Sequence, residues 1–151
     1  MHREGWTPMD VRMELSRILI RELSDCQLIE LREVAEPGEE LNDEPRSFPI
    51  VIGLPEAQAI DRRLKGVQIE RPQTHDLLAN VINEMGGQIE RIGITRLSEH
   101  TFFAELWVRT SMDELIKIDS RPSDAIALGV ASDTPIYVAE DVIESATREE
   151  I

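Results

Sequence analysis

At 151 residues, 41% apolar and 30% charged, the sequence predicts one globular domain with enough chain for a real core. Its net charge of −14 excludes strong unaided binding of nucleic acid, because such binding normally uses a basic face. The apolar run Ala125–Ala131 is far too short to span a bilayer, and residues 1–10 lack the apolar core of a signal peptide. We therefore expect a cytoplasmic protein with no membrane partner.

The N-terminal third of the sequence predicts a β-hairpin followed by a third strand. Residues 11–23 and 26–34 are rich in β-forming side chains and are separated by a short polar turn. Residues 35–46 contain two prolines, a glycine and many acids, which indicates a solvated loop. Residues 47–53 predict the third strand. The single cysteine, Cys26, excludes an internal disulfide and has no companions for a zinc site.

Two helices are expected next. The first begins at Leu54, because Pro55 is tolerated in a first turn and Glu56 suits the positive end of the helix dipole. Gly66 is expected to end it. The second is expected to be capped by the Thr74 hydroxyl. Its apolar residues recur at helical spacing and form one stripe: Leu77, Leu78, Val81, Ile82 and Met85.

The second half of the sequence predicts three more strands, then a helix, a strand and a terminal helix or acidic tail. The strands at residues 88–97, 101–109 and 114–119 are joined by short turns and form a meander. The segment "AIALGVA" that follows is apolar on all sides, so its helix should be deeply buried. Gly129 within it indicates a close approach of another backbone.

The element order βββααβββαβα predicts an α+β fold: a compact single domain with a mixed or antiparallel sheet and about four helices. We expect a flexible N-terminus at residues 1–11, a folded domain at 12–144 and an acidic tail at 145–151. The charge is uneven, because Glu33–Glu44 contains six acids and no base. Asp61–Arg71 has four bases and two acids, so any basic patch is small.

Two segments share an unusual arrangement. "ERPQTHDLL" (Glu70–Leu78) and "IDSRPSDAIALGV" (Ile118–Val130) each place Arg-Pro, a hydroxyl residue and an aspartate before an apolar helix. Proline extends the preceding arginine, and a first-turn aspartate has its pKa lowered by the helix dipole. A purely structural interpretation is complete: the threonine or serine caps a helix, and the arginine pairs with a nearby acid.

A functional interpretation adds an anion site. Arg71 and Arg121 would lie near helix N-termini, where free amides and a guanidinium can bind a phosphate together with Thr74 and Ser123. Divalent cations such as Mg²⁺ or Mn²⁺ prefer carboxylate oxygens. The candidate metal ligands are Glu56, Asp76, Asp119 and Asp124.

His75 is the best proton-transfer candidate in the sequence, although a lone histidine is more often structural. It stands between Thr74 and Asp76, close to Arg71. The candidate catalytic residues are His75, Asp76 and Asp124.

Four segments, "IGLPEAQAI", "RPQTHDLL", "SRPSDAIAL" and "PIYVAEDVI", stand in the order and approximate spacing of the bifunctional nuclease (BFN) domain family, formerly a domain of unknown function. The resemblance covers Met13–Ile143. It implies a compact α+β domain, homo-oligomers, and an activity on both DNA and RNA. The positions that match the family's motifs are Glu56, Arg71, Thr74, His75, Asp76, Arg121, Ser123 and Asp124.

Three hypotheses stay open. The first is a metal-assisted phosphodiesterase that acts on DNA and RNA without strong sequence specificity, because it contacts the backbone rather than base edges. The second is a non-enzymatic, oligomeric regulatory module that binds a small anionic ligand. The third is that the motifs only stabilise the fold. Convergence of Arg71, Asp76, Arg121 and Asp124 in one cleft would favour a site, and their separation would favour independent helix caps.

Overall fold

The computed structural model describes residues 10–21 and 23–149, so most of the predicted flexible N-terminus lies outside the described residues. In chain order the elements are β1 (Asp10–Leu19), β2 (Gln27–Glu33), β3 (Ser47–Ile52), α1 (Leu54–Lys65), α2 (Thr74–Glu84), β4 (Gln88–Ser98), β5 (Thr101–Arg109), β6 (Leu115–Ser120), α3 (Pro122–Gly129), β7 (Ile136–Ala139) and α4 (Glu140–Glu149). The predicted α+β class and element order are confirmed. A single 3₁₀ turn follows α3.

The described strands form one seven-stranded sheet in the order β3-β2-β1-β7-β4-β5-β6. The predicted hairpin and meander are confirmed as antiparallel pairs. β7 lies between β1 and β4, and its pairing with β4 is parallel, which makes the sheet mixed. The last strand therefore joins the N-terminal hairpin to the meander.

The core is built around α3, which packs against α1, α2, β4 and β5. Its buried residues, as predicted for an all-apolar helix, are Pro122, Ser123, Ala125, Ile126, Ala127, Leu128 and Gly129. The Phe48 ring on β3 stacks on the Phe102 ring on β5 at 5.6 Å between centroids. Because four strands separate β3 from β5 in the sheet, this contact shows that the sheet curls around α3.

Gly129 lies at a tight contact, but its neighbours differ from the prediction. A Cβ placed there would come within 2.8 Å of Ile92 Cδ1 and 2.8 Å of Thr134 Cβ. The close approach is therefore to two side chains rather than to another backbone.

The N-caps of α2 and α3 differ from the sequence prediction. Gln73 occupies the N-cap of α2 and Arg121 the N-cap of α3, so Thr74 and Ser123 lie inside their helices. Pro122 explains the shift in α3: its missing N–H suits the first helical position, which moves the cap to the preceding residue. By contrast, α1 ends at Gly66 as predicted, with a left-handed φ of 66°.

α4 packs against β3, β4 and β7. Its buried side chains, which pack in the core, are Val142, Ile143 and Ala146. Arg46 donates to Glu33 at 3.0 Å and to Glu140 at 2.5 Å, and so links the end of β2 to the start of α4. The helix continues through residues assigned above to the acidic tail.

α2 is less buried than its apolar stripe indicates, since none of its side chains is fully buried. Four residues of the stripe are exposed: Leu77 (55%), Leu78 (45%), Val81 (41%) and Met85 (78%). Ile82 packs against the core. Within residues 10–21 and 23–149, no helix has the length and apolar character needed to cross a membrane.

Candidate functional site

A groove runs between α2 and the β5–β6 edge of the sheet, and the N-terminus of α3 opens into it. Both Arg-Pro segments contribute to its walls, through Thr74 and His75 from the first and Arg121 and Asp124 from the second. The remaining walls are mainly apolar and include Leu78, Phe102, Leu106 and Ile118. The two segments, 49 residues apart at His75 and Asp124, therefore meet in space.

Four polar side chains form a continuous chain of contacts at this groove. His75 Nε2 lies 2.9 Å from Asp124 Oδ1. Arg121 donates to Asp124 through Nε at 2.8 Å and through Nη2 at 3.1 Å. Arg121 Nη2 also lies 3.0 Å from Glu56 Oε1. The order along this chain is Glu56, Arg121, Asp124, His75, and its members come from α1, α2 and the start of α3.

Arg121 is the exposed member of this chain, with 64% of its side chain accessible, whereas Asp124 is 30% and His75 17% accessible. Burial opposes ionisation of Asp124, but hydrogen bonds from Arg121 and His75 outweigh it and lower the pKa of Asp124 below its usual value. The carboxylate is thus ionised at neutral pH. In this cluster one guanidinium lies between the carboxyl groups of Glu56 and Asp124.

Glu56 is placed by the start of α1. Its carboxylate folds back over Gly53, where an added Cβ would come within 2.5 Å of Glu56 Oε2. A side chain at this N-cap would therefore push the carboxylate out of its present position beside Arg121.

Asp76 belongs to a different network. Arg62 donates to its carboxylate at 2.8 Å and Arg63 at 2.6 Å, and the Gln73 backbone N–H donates at 3.0 Å. Burial would raise the pKa of Asp76, but these hydrogen bonds lower it to about 2. Asp76 does not line the groove, and two guanidiniums already occupy its oxygens. The geometry therefore favours a structural role for this predicted catalytic and metal-binding residue.

Sequence reasoning missed Arg62 and Arg63, which it treated only as part of a basic patch. Arg63 also donates to the backbone carbonyls of Ala127 and Leu128, at 2.6 and 3.2 Å. It thus provides hydrogen-bond donors for carbonyls in the last turn of α3. Basic residues in the last turn of α1 suit its dipole, but nothing in the sequence pointed to partners on α2 and α3.

The other predicted site residues are dispersed. Arg71 is exposed, does not line the groove, and forms no ion pair with any described residue. Thr74 lines the groove from the first turn of α2. Ser123 is 5% exposed and lines a neighbouring groove on the other side of Arg121. Asp119 lies at the groove rim on β6 but has no contact with the polar chain among the described side chains. Arg121 and Asp124 thus converge, whereas Arg71 and Asp76 do not join them.

The predicted metal site does not fit this arrangement. Among the described residues, no group of three or more His, Cys, Asp and Glu side chains is placed to bind a metal ion. Glu56 and Asp124 are the two carboxylates that lie together, and both are engaged by Arg121. A metal ion held by protein ligands alone would have to displace that arginine.

Comparison with known sequences assigns the chain to a family. The family model described as "Bifunctional nuclease domain" matches residues 40–150. A Mycobacterium tuberculosis protein described as uncharacterized is 41% identical over 101 residues, which are 67% of this chain and 59% of the mycobacterial protein. Bifunctional nuclease 2 of Arabidopsis thaliana is 28% identical over 93 residues, or 60% of this chain and 28% of the plant protein. Bifunctional nuclease 2 of Oryza sativa subsp. japonica is 29% identical over 93 residues, or 60% of this chain and 29% of the rice protein.

The chain therefore spans 59% of the length of its mycobacterial relative and less than a third of the plant proteins. The matched region contains α1, α2, α3 and every residue of the polar chain.

Proposed function

Because this chain belongs to the bifunctional nuclease domain family, we propose that it hydrolyses phosphodiester bonds in DNA and RNA without strong sequence specificity. The observation that carries the proposal is the contact between His75, Asp124 and Arg121 at one groove. A proton-transfer group can activate a water molecule there, and a guanidinium can stabilise the negative charge that develops on the phosphate. The names of the plant relatives support the class of reaction.

Arg121 is assigned the role of binding the phosphate group of the substrate. Its side chain is 64% exposed at the groove mouth, and a guanidinium can donate two parallel hydrogen bonds to phosphate oxygens. A bound phosphate must compete with Glu56 and Asp124 for this guanidinium. That competition, with the net charge of −14, keeps ground-state binding weak.

His75 is assigned the role of the general base that accepts a proton from the attacking water. When Nε2–H donates to Asp124, Nδ1 is the nitrogen that can take a proton. As the oxygen of a water molecule attacks phosphorus, that water would give a proton to Nδ1. The bond from phosphorus to the leaving sugar oxygen would break, and that oxygen would take a proton from solvent water. The ionised Asp124 stabilises the imidazolium that forms, and Arg121 stabilises the negative charge that develops on the phosphate oxygens.

The steps above assign roles to side chains of the protein and one water molecule. Dependence on Mg²⁺ or Mn²⁺ remains part of the proposal as an ion that lowers the repulsion between the phosphate and the two carboxylates. Cytoplasmic location and homo-oligomer formation, both expected from the sequence, also remain predictions.

The test compares two aspartate variants of the purified protein. Labelled single-stranded DNA and RNA are incubated with wild type, Asp124→Asn and Asp61→Asn, each with Mg²⁺, with Mn²⁺ and with EDTA. Asp61 is the matched control, since it pairs with Lys65 on the exposed side of α1, away from the groove. We expect Asp124→Asn to lose most cleavage and Asp61→Asn to keep it. Equal cleavage by all three proteins would indicate a contaminating nuclease and overturn the proposal.

A second function is favoured by one observation, the pairing of Arg121 with both Glu56 and Asp124. A non-enzymatic regulatory module would exchange one of those carboxylates for a small anionic ligand without turnover. It predicts a rise in melting temperature with a phosphorylated metabolite or nucleotide that Asp124→Asn alters, and no cleavage by any variant.

A further inference from the structure

Six of the eleven large apolar side chains that are exposed among the described residues lie on α2 and its C-cap and on β6. We use the name edge surface for the α2 stripe Leu77, Leu78, Val81 and Met85 together with Ile116 and Ile118 of β6. Ile116 and Ile118 are 45% and 43% exposed, although both point to the face of the sheet that carries the helices. Contiguous apolar surface of this kind marks interaction sites in folded proteins.

The edge surface includes an open sheet edge. β6 is the last strand in the order and pairs on one side only, with β5, without a bulge. Natural proteins usually protect such an edge with prolines, bulges, several charges or a covering element. β6 has no proline, and its charged residues are one lysine and one aspartate. Its free backbone N–H and C=O groups therefore need a partner strand or water.

α2 lies on the same side of the sheet as the apolar residues of β6. Leu78 of α2 and Ile118 of β6 line one groove together with Leu106 of β5. A partner strand added at β6 would therefore extend this face, and a helix above that strand would meet the stripe on α2.

We propose that the edge surface binds a second copy of this chain through antiparallel β6–β6 pairing about a two-fold axis at Ile118. That axis places Ile118 opposite Ile118 of the other copy and Ile116 opposite Ser120. It also places Lys117 of each copy opposite Asp119 of the other copy, which gives two such pairs. The two seven-stranded sheets become one, and both α2 helices lie on the same side of it, with their stripes facing.

Charge complementarity selects a second copy as the occupant. A two-fold interface must be complementary to itself, and the spacing of Lys117 and Asp119 meets this requirement only when Ile118 is at the centre. Among the described side chains neither residue forms an ion pair, and Lys117 Nζ lies 4.4 Å from the centroid of the Trp107 ring. The six side chains of the edge surface are uncharged, so two copies of net charge −14 can approach there with less repulsion than through their acidic segments.

This inference rests on the homo-oligomer part of the proposed function, and it is tested by mass rather than by activity. It can therefore fail while the nuclease proposal stands.

The first test measures oligomeric mass by sedimentation velocity between 1 and about 100 µM in moderate salt. We expect a dimer for wild type and a monomer for Ile118→Lys, which places two lysines face to face at the axis. Val51→Lys is the matched control, because Val51 is 63% exposed on β3, the opposite edge strand. A monomeric wild type, or an Ile118→Lys variant whose mass equals that of Val51→Lys, overturns the proposal.

The second test checks the register by charge reversal. Lys117→Asp and Asp119→Lys each place like charges opposite one another across the axis, and each should weaken association by about tenfold. The double variant Lys117→Asp/Asp119→Lys restores opposite charges at both places and should recover the wild-type dissociation constant. Additive weakening in the double variant overturns this register. Far-ultraviolet circular dichroism of each variant confirms that the monomer remains folded.

Discussion

At the scale of single residues, two aspartates with the same sequence context have different surroundings. Asp76 and Asp124 each lie in the first turn of a helix that follows an Arg-Pro pair. Asp124 is paired with the arginine of its own motif and with His75. Asp76 is instead paired with Arg62 and Arg63 of the preceding helix. The aspartate of the repeated motif thus serves the candidate site in one copy and the ion pairs between α1 and α2 in the other.

Asp76→Asn is expected to lower the free energy of unfolding by about 2 kcal/mol at pH 7, because the folded-state pKa of Asp76 is lowered from 3.8 to about 2. A lowered pKa stabilises the fold above the unfolded value, and this contribution is lost as the pH falls from about 5 towards 2. The difference between wild type and variant in urea denaturation should therefore shrink at acid pH.

Asp61→Asn is the control for that measurement. It removes the same charge from an exposed pair with Lys65, so it should change stability by less than about 0.5 kcal/mol at any pH. A difference for Asp76→Asn that is constant between pH 7 and pH 3 would contradict the assigned pKa.

Residue-level features that depend on the local sequence were predictable. Gly66 ends α1, and Arg121 before Pro122 is extended, because glycine and proline restrict the backbone in known ways. The contact between His75 and Asp124 was not predictable, since 49 residues separate them and only the packing of α2 on α3 brings them together. The same holds for Arg62 and Asp76.

At the scale of elements, α3 determines where the site lies. Its burial on all sides places its N-terminus at the groove, where Arg121 and Asp124 meet His75. The other end of α3 is fixed by the tight contact of Gly129 with Ile92 and Thr134.

Gly129→Ala is expected to lower the free energy of unfolding by about 1–3 kcal/mol, because its Cβ would lie 2.8 Å from atoms of two packed side chains. Gly93→Ala is the matched control, since its Cβ would meet Trp107 Nε1 at an ordinary 3.6 Å. Urea denaturation of both variants measures the difference. Equal stability of the two variants would show that the end of α3 can shift without cost.

Whether a segment forms a helix or a strand was predictable for most elements. Which other elements it pairs with or packs against was less predictable. α3 was identified from a run of small apolar residues, and the meander from alternation and turns. The insertion of β7 between β1 and β4 depends on long-range pairing that periodicity does not encode. The stripe on α2 predicted a helix correctly, but periodicity alone does not show whether a stripe meets the protein's own core or remains exposed.

At the scale of the whole molecule, the net charge of −14 sets how a polyanion can approach. A basic nucleic-acid-binding protein loses about 10³-fold or more in affinity between 50 and 200 mM salt, because binding releases counterions. In this protein, salt screens the repulsion between the acidic protein and the polyanion as well as the attraction between the polyanion and basic side chains. We expect KM for a single-stranded substrate to change by less than about fivefold over this range. A steep rise in KM would indicate a basic binding surface that the described residues do not show.

The central claim is that one groove, with His75 as its proton-transfer group, cleaves both DNA and RNA. The most direct measurement compares cleavage rates of wild type and His75→Gln on labelled single-stranded DNA and RNA, under the best metal condition. Glutamine can keep a hydrogen bond to Asp124 but cannot take the proton, so both rates should fall together by about 100-fold or more. Rates that are unchanged, or that fall for only one of the two substrates, would contradict the claim.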